Sequence, residues 1–545
     1  MTTTGSARNG SDIVVETLEA LGVTAVFGIP GQNALGLFDA LNRSELRFIS
    51  SRVENNAAFA ADGFARSSDR PAVLFLSAGP GALTALSGLQ EAYATGVPLL
   101  VLVAQVPTAG LWGARKGMLH QLDDQKSSAV NVTKSVATVT RAEQIPMILT
   151  DAWRLALTAP AGPVWVELPE DILLAPTSIP PVESVDLEVP QLAPRPELIR
   201  AAAEAINAAP TTVIVAGGGV RRSGAEPQLL RLAERIGAPV ISSPGGNGAF
   251  PRSHPLSLQS WVEDRRMTEL LAGADVLLAI GTSLGEVTSN YFTLAPRGTV
   301  VQIDANVRTL GSNHTVLGIH SDAGLAIDAL LEHLEPRDPV AGEALAAAAL
   351  AAVRARLDAQ DLALERGLID ALREGMDDDA ETFWDMTILG YWAWSAWDAR
   401  EGGFHSAQGA GGLGFAFPAA LGSAFATGRR TLAVNGDGGA MYSISELATA
   451  KQHGLPVTWL IVDDGGYGIL REYMTHNFGK ATATELARPD FVRLAESFGV
   501  PARRAAPEEV AAAIRESYSV DGPAVIVVEA RLAMFQATHV EQADI

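Results

Sequence analysis

Residues 435–470, NGDGGAMYSISELATAKQHGLPVTWLIVDDGGYGIL, carry the pattern that decides the fold. The short apolar run just before them, residues 431–434, predicts a buried strand that ends at a glycine-rich turn. A helical segment comes next, with Ile444 and Leu447 on one face, and a His-Gly-Leu-Pro sequence ends it. Residues 457–462 then predict a second buried strand, which a second glycine-rich turn closes. The stretch is therefore a β-α-β unit of a parallel sheet.

A carboxylate stands at the carboxyl end of each of these strands, Asp437 after the first and Asp464 after the second. The carboxyl ends of neighbouring parallel strands lie side by side, at the edge where α/β proteins bind ligands. Mg²⁺ prefers oxygen ligands and often bridges carboxylates and phosphate, while glycines let backbone N–H groups approach phosphate oxygens. One such turn is most often an ordinary turn. Two turns with 25 positions between Gly438 and Asp464 predict a metal–diphosphate site.

The composition indicates several globular domains and excludes some classes of function. A chain of 545 residues fits about three domains, and 48% hydrophobic residues suffice for several cores. The 40 basic and 62 acidic residues give a net charge of −22 without a basic block, which argues against nucleic-acid binding. With no cysteine there is no disulfide and no thiolate metal site. Residues 1–10 lack a signal-peptide pattern and the apolar runs are too short to span a membrane, so we expect a cytoplasmic protein without membrane contact.

The rest of the chain repeats the alternation of strand and helix. Nearly continuous apolar strands between helices predict the α/β class, with doubly wound parallel sheets. We place three such domains at residues 11–175, 196–335 and 378–545, with a helical linker at residues 336–377. The run Gly217-Gly218-Gly219 in the second domain lacks the full dinucleotide-binding pattern, and we interpret it as a tight strand–helix turn rather than a nucleotide site.

Several motifs resemble the thiamine diphosphate-dependent decarboxylases and carboligases. The first domain, with VFGIPG at 26–31, Glu54, AADGFAR at 60–66 and SAGPG at 77–81, is similar to the family's pyrimidine-binding domain. Residues 409–418 and 435–467 resemble its diphosphate-binding domain. The three-domain order is similar to that of acetolactate synthase, benzoylformate decarboxylase and benzaldehyde lyase. The resemblance implies thiamine diphosphate and Mg²⁺, held between the first domain of one subunit and the third domain of another, in a homodimer or homotetramer.

The resemblance also implies roles for individual residues. Glu54 matches the glutamate that hydrogen-bonds the cofactor's aminopyrimidine ring, which helps the cofactor's own nitrogen remove the thiazolium proton. Asp437 and Asp464 are the implied side-chain metal ligands and Gly466 a carbonyl ligand, although the family usually has asparagine at position 464. Leu413 is the implied aliphatic wedge under the thiazolium. The other implied cofactor contacts are Gly411, Gly436, Gly438, Gly439, Tyr467 and Thr387.

The loop near residue 120 bears on the fate of the intermediate that decarboxylation leaves on the cofactor. Pyruvate decarboxylases resemble this chain but carry a His-His pair there, and acetolactate synthases carry Phe-Gln, whereas this chain has His120-Gln121. The histidine of the benzoylformate decarboxylase type is replaced by Leu76. Gln121 therefore favours an acetolactate synthase-like carboligase, which decarboxylates a 2-oxo acid such as pyruvate and joins the remaining fragment to a second carbonyl. A non-ligating 2-oxo acid decarboxylase and a benzaldehyde lyase-like acyloin lyase are the alternatives.

Gln32, His120 and Gln121 are the candidate substrate-contacting residues beside Glu54. Gln32 is either a pocket residue or a turn residue, and His120 is either an acid–base group or a hydrogen-bonding group of the loop. His405 either faces the pocket or is a solvent-exposed loop histidine, which we favour. We do not predict FAD, which acetolactate synthases bind, because residues 281–286 (GTSLGE) lack the Arg-Phe-Asp-Asp-Arg-type run found there.

Overall fold

The computed structural model describes residues 8–113 and 115–540, which fold into three α/β units. Each unit has a six-stranded sheet, and every pairing between its named strands is parallel. Central strands such as β4 (Leu99–Gln105) are buried at every position, because helices cover both faces of the sheet. The predicted fold class, three doubly wound parallel-sheet domains, is confirmed.

The first unit has the spatial strand order β2-β1-β3-β4-β6-β5. Its strands are β1 (Ala25–Gly28), β2 (Arg47–Ser50), β3 (Ala72–Leu76), β4, β5 (Ser135–Thr138) and β6 (Val164–Pro169). Its helices are α1 (Gly10–Ala20), α2 (Leu35–Leu41), α3 (Glu54–Ser68), α4 (Pro80–Thr84), α5 (Leu86–Thr95), α6 (Ile145–Leu157) and α7 (Glu170–Leu174).

The second unit has the order β12-β11-β10-β7-β8-β9, and two long helices connect it to the third. Its strands are β7 (Thr212–Ala216), β8 (Val240–Ser242), β9 (Ser257–Gln259), β10 (Val276–Ile280), β11 (Thr299–Asp304) and β12 (Leu317–His320). Its helices are α8 (Pro196–Ala208), α9 (Gly218–Arg222), α10 (Glu226–Ile236), α11 (Arg265–Gly273) and α12 (Ala323–Leu331), and the connecting helices are α13 (Val340–Asp358) and α14 (Ala363–Gly375).

The third unit has the order β14-β13-β15-β16-β18-β17, which repeats the strand order of the first unit. Its strands are β13 (Thr382–Trp384), β14 (Phe404–Ser406), β15 (Thr431–Gly436), β16 (Val457–Asp463), β17 (Ala502–Arg504) and β18 (Ala524–Glu529). Its helices are α15 (Ile388–Ala396), α16 (Ala416–Thr427), α17 (Asp437–Ser443), α18 (Glu446–His453), α19 (Gly468–Phe478), α20 (Phe491–Ser497) and α21 (Val510–Ser517).

The first and third units are joined by a close helix–helix contact between α3 and α16. A Cβ atom on Gly63 of α3 would lie 1.9 Å from the Ala419 carbonyl oxygen, and one on Gly422 of α16 would lie 1.8 Å from the Ala60 carbonyl oxygen. The backbones therefore touch where the helices cross, which only glycine allows. This contact fixes the helix that begins with Glu54 against the helix that comes after the loop at residues 409–415.

The β-α-β unit at residues 431–463 forms as predicted, except in its helix. Strands β15 and β16 are adjacent and parallel over six residue pairs. The predicted single helical segment is wrong, because it is two helices, α17 and α18, separated at Ile444 and Ser445. The short α17 begins at Asp437, directly after β15, so its amino end lies at the glycine-rich segment 436–439. No helix in the described part of the chain is long and apolar enough to cross a membrane.

Candidate active site

The two glycine-rich turns of the third unit form one site, as the parallel register requires. Asp437 is the first residue of α17 and is completely buried, and Asp464 comes directly after the last residue of β16. A Cβ atom on Gly438 would lie 3.5 Å from the Gly466 carbonyl oxygen and 2.7 Å from the Tyr467 ring. The three groups predicted to ligate a metal, two carboxyls and one carbonyl, therefore lie around the amino end of one helix.

Asp437 is buried without a hydrogen-bond partner for its carboxyl group. Neither of its carboxyl oxygens has a hydrogen bond among the described residues, and Arg488 Nε lies 3.6 Å from Oδ2, beyond hydrogen-bond distance. Burial, with the nearby charges of Asp464 and Asp463, raises the pKa of Asp437 to about 7. Burial also raises the pKa of Asp464, although Arg471 lies 3.7 Å from its Oδ1 and opposes the shift. A buried, unsatisfied carboxylate is costly, and a bound cation would satisfy it.

The other predicted contacts of the third unit surround this turn. Thr387 precedes α15, and its Oγ1 lies 2.9 Å from the Cβ position of Gly436. Gly439 faces Asp385, whose Oδ2 lies 2.3 Å from its Cβ position, so a larger residue is excluded there. Gly411 has a φ of +70°, which favours glycine, and Leu413 is half-buried in the same loop.

The first unit contributes a separate group of predicted residues around Glu54. Glu54 begins α3, is half-buried, and has no hydrogen bond to its carboxyl group among the described residues. Its Oε1 lies 3.1 Å from the Cβ position of Gly81. The buried Ser77 hydroxyl also has no partner there and lies 2.3 Å from the Cβ position of Gly31. Small residues thus leave the Glu54 carboxyl accessible at the carboxyl end of β3.

His120 and Gln121 lie in the loop that covers this end of the first sheet. The His120 carbonyl lies 2.5 Å from the Cβ position of Gly79, and its Nδ1 is 3.4 Å from Asn33 Oδ1. His120 has a φ of +65°. The Gln121 amide donates hydrogen bonds to the Gly110 and Arg115 carbonyls, at 2.7 and 2.8 Å. Gln121 therefore closes the loop with its amide group, while the Gln32 side chain next to Asn33 is exposed.

His405 is not the solvent-exposed loop histidine that we favoured. It lies within β14, stacks at 4.7 Å on the Phe383 ring, and has Nε2 2.7 Å from Glu381 Oε2. Burial lowers its pKa. Both contacts follow from its place on β14, the edge strand of the third sheet, where it is half-buried directly opposite Phe383 of β13.

The sequence analysis did not identify two carboxylates that hold the loop at residues 409–415. Asp385, at the end of β13, accepts the Gly414 N–H at 3.1 and 2.9 Å, and burial raises its pKa to about 6. Glu91 of α5 accepts the backbone N–H groups of Gly409 and Ala410. The sequence offered only a weak signal for Glu91, a charged residue in a helix followed by Ala92, and none for Asp385.

One cavity of the protein lies away from this site. It has a volume of about 650 Å³ and includes Arg47, Arg430 and Tyr518 in its lining. Arg430 immediately precedes β15, whereas Asp437 comes directly after it, so the cavity lies at the opposite edge of the third sheet. The cavity offers no predicted site residue, and the chemistry is better sought at the exposed faces around Glu54 and Asp437.

Glu54 and the two glycine-rich turns belong to different units of the chain, and residues next to Glu54 contact the third unit: the Arg52 N–H and the Asn56 amide donate hydrogen bonds to Glu446 of α18. No hydrogen bond or ion pair joins Glu54 to the turns at 436–439 or 464–467 in the described residues. Large apolar side chains are exposed beside both groups: Leu35 (60%) and Leu119 (65%) near the first, and Tyr442 (55%) and Phe478 (78%) near the second.

Comparison with known proteins assigns all three units to one family. Profiles of thiamine pyrophosphate enzymes match as the N-terminal TPP binding domain at residues 8–128, the central domain at 199–330 and the C-terminal TPP binding domain at 385–528. A probable 2-ketoarginine decarboxylase of Pseudomonas aeruginosa is 32% identical, over 90% of this chain and 88% of its own. A probable acetolactate synthase large subunit of Methanocaldococcus jannaschii is 31% identical, over 94% and 90%. The acetolactate synthase isozyme 1 large subunit of Escherichia coli is 29% identical, over 96% and 94%.

Proposed function

The chain belongs to the thiamine pyrophosphate enzyme family, and from this premise we propose that it is a thiamine diphosphate- and Mg²⁺-dependent carboligase of 2-oxo acids. When bound, the cofactor supplies a thiazolium carbon that adds to the 2-oxo group and accepts the electrons released as CO₂ leaves. The chain's own residues hold the cofactor, place the metal and control the protons near the reacting carbon.

The observation that carries the proposal is the buried Asp437 carboxylate without a hydrogen-bond partner. Asp437, Asp464 and the Gly466 carbonyl are the proposed protein ligands of Mg²⁺. No group of three or more histidine, cysteine or acidic side chains is placed to hold a metal in residues 8–113 and 115–540. Two carboxylates with a carbonyl nevertheless suit Mg²⁺, whose remaining ligands come from phosphate and water. Gly438 and Gly439, at the amino end of α17, are the proposed phosphate contacts.

Glu54 is the proposed activating group. A carboxyl group at the pyrimidine ring nitrogen would stabilise the imino tautomer of the cofactor, whose imino nitrogen can accept the thiazolium proton. The free carboxyl of Glu54 and the small residues around it support this role. Glu54→Gln should abolish turnover and leave the fold and much of the cofactor binding intact, because only the proton transfer is removed. Near-wild-type turnover in this variant would contradict the mechanism.

Carboligation rather than simple decarboxylation is supported by the loop at residue 120. The Gln121 amide is not an acid that can transfer a proton to the intermediate. Its N–H groups already donate hydrogen bonds to the Gly110 and Arg115 carbonyls. A site with few proton donors lets the fragment react with a carbonyl before it is protonated. His120 remains a candidate donor, and the similarity to a probable 2-ketoarginine decarboxylase favours the alternative, a non-ligating decarboxylase.

The cofactor site is proposed to lie between subunits of a homodimer or a homotetramer. In the described residues no hydrogen bond or ion pair joins Glu54 to Asp437 or Asp464, and large apolar side chains are exposed in both units, which supports this arrangement. A partner's third domain placed over Glu54 would bury these side chains and exclude water from the pyrimidine.

A product assay tests the proposed function. Purified protein with thiamine diphosphate and Mg²⁺ is incubated with pyruvate, benzoylformate, branched 2-oxo acids and 2-ketoarginine, with and without an aldehyde acceptor. An acetohydroxy acid or acyloin product is expected. Free aldehyde alone would establish the decarboxylase alternative, and no CO₂ from any acid would contradict the proposal.

A further inference from the structure

The loop that carries Gly411 and Leu413 is held by a carboxylate at each end. At its far end, Asp385 of the third unit accepts the Gly414 N–H. At its near end, Glu91 of the first unit accepts the Gly409 N–H at 3.2 Å on Oε1 and the Ala410 N–H at 2.7 Å on Oε2. Gly411 and Leu413 therefore lie between two fixed points that belong to different domains.

Glu91 is itself held rigidly by its neighbours. It is completely buried, and Arg66 Nη2 lies 3.3 Å from its Oε1. Arg66 is also bonded to Asp62, at 2.5 Å from Nε, and to the Thr95 hydroxyl at 2.9 Å. Its guanidinium lies 5.3 Å from the centroid of the Phe415 ring, at the other end of the loop. A buried, hydrogen-bonded network of this kind transmits position and allows little movement.

The loop approaches α5 so closely that only glycine fits at the point of contact. A Cβ atom on Gly409 would lie 2.6 Å from Thr95 Cγ2 and 3.0 Å from Ala94 Cβ. Gly409 does not have a positive φ, so this requirement comes from the close approach alone. Both hydrogen bonds that Glu91 accepts, from the Gly409 and Ala410 N–H groups, depend on this close approach of the loop to α5.

We propose that Glu91 is a positioning residue, which acts through the Gly409 and Ala410 amides to place Leu413 as the wedge under the cofactor's thiazolium ring and Gly411 as a cofactor contact. The inference rests on the proposed function, because Leu413 and Gly411 have a role only if thiamine diphosphate binds beside them. Displacement of a reacting group by about 1 Å can cost roughly a hundredfold in rate. Glu91 itself touches neither cofactor nor substrate.

The test is the rate at which the C2 proton of bound thiamine diphosphate exchanges for deuterium, measured by acid quench and proton NMR without substrate. In Glu91→Gln one backbone N–H faces an amide NH₂ group, so the loop shifts while the side-chain volume is conserved. We expect exchange roughly tenfold to a hundredfold slower than in the wild type, with cofactor Kd and unfolding midpoint little changed. The matched control is Glu365→Gln, a buried glutamate of α14 that accepts the Ala533 N–H at 2.7 Å, and it should exchange at the wild-type rate.

Wild-type exchange in Glu91→Gln, or equally slow exchange in Glu365→Gln, would overturn the inference. If Glu91→Gln does not fold, Gly409→Ala replaces it, because its Cβ displaces the loop from Thr95 without changing a charge. Adding Thr95→Ser removes Cγ2, keeps the hydroxyl, and should restore part of the exchange rate; no restoration would overturn the inference. A wild-type protein that binds no thiamine diphosphate would refute the proposed function and this inference together, whereas the variant outcomes refute the inference alone.

Discussion

Replacing Gly63 by alanine should force apart the two helices that join the first and third units. The new Cβ would lie 1.9 Å from the Ala419 carbonyl oxygen, 2.5 Å from its carbonyl carbon and 2.7 Å from its Cα. These neighbours are backbone atoms of α16, so no side-chain rotation relieves the collision. The two helices must therefore move apart where they cross.

The size of the effect results from two opposing contributions. Overpacking usually costs about 1–3 kcal/mol, and we expect the upper end because the new side chain meets backbone atoms. Alanine in place of glycine within a helix returns roughly 0.5–1 kcal/mol. The net expectation is a loss of about 2 kcal/mol of unfolding free energy.

The matched control is Gly367→Ala in α14, where no heavy atom lies within 4 Å of the new Cβ. The same substitution in the same secondary structure should there stabilise by roughly 0.5–1 kcal/mol. Urea unfolding monitored by circular dichroism, with the first transition compared between variants, measures both. Stabilisation by Gly63→Ala, or equal shifts in the two variants, would refute the close α3–α16 contact.

Two further predictions concern the site and the domain contacts. Asp464→Asn should bind thiamine diphosphate with Mg²⁺ several-fold more tightly by titration calorimetry, because an amide oxygen still ligates the metal while a negative charge beside the diphosphate is removed; weaker binding would count against the assigned ligand. His453 Nε2 accepts the Ser50 N–H at 3.3 Å, and burial, with nearby Arg52 and Arg47, lowers the pKa of His453. The unfolded chain therefore binds this proton more readily, and wild-type stability should fall as the pH drops below about 6.5. His453→Gln keeps a hydrogen-bond acceptor but does not titrate, so it should lose less unfolding free energy than the wild type when the pH falls from neutral to about one unit below 6.5. Equal losses for the two proteins in urea unfolding would contradict this role of His453.

The parts of the fold that the sequence predicted are those encoded locally. Strands β15 and β16 are short apolar runs between glycine turns, and their parallel pairing brings Asp437 and Asp464 to the same edge of the sheet, so the proximity of these two carboxyl groups was predictable. Glu91 was missed because its partners lie 318 and 319 positions away, and nothing in the helix sequence names them. His405 was misjudged for the same reason, since its burial depends on the pairing of β14 with β13.

The break between α17 and α18 shows a different limit of sequence reasoning. Ile444 continues the apolar face that predicted a single helix, yet the helix is interrupted there, and α17 ends at Ser443 while α18 begins at Glu446. Periodicity reports which face is buried but not where two short helices replace one long helix. The break limits α17 to a short helix, and the amino end of this helix is the proposed diphosphate contact.

The proposed function requires that Glu54 of one subunit and Asp437 of another form a single cofactor site. Glu54→Gln and Asp437→Ala chains carrying different affinity tags are co-expressed, and heterodimers are isolated through both tags. Each variant alone should be inactive, since every site lacks one of the two groups. In the heterodimer one site has both defects and the other has neither, so we predict about half of the wild-type activity per dimer. Heterodimers no more active than the parent variants would contradict the shared site.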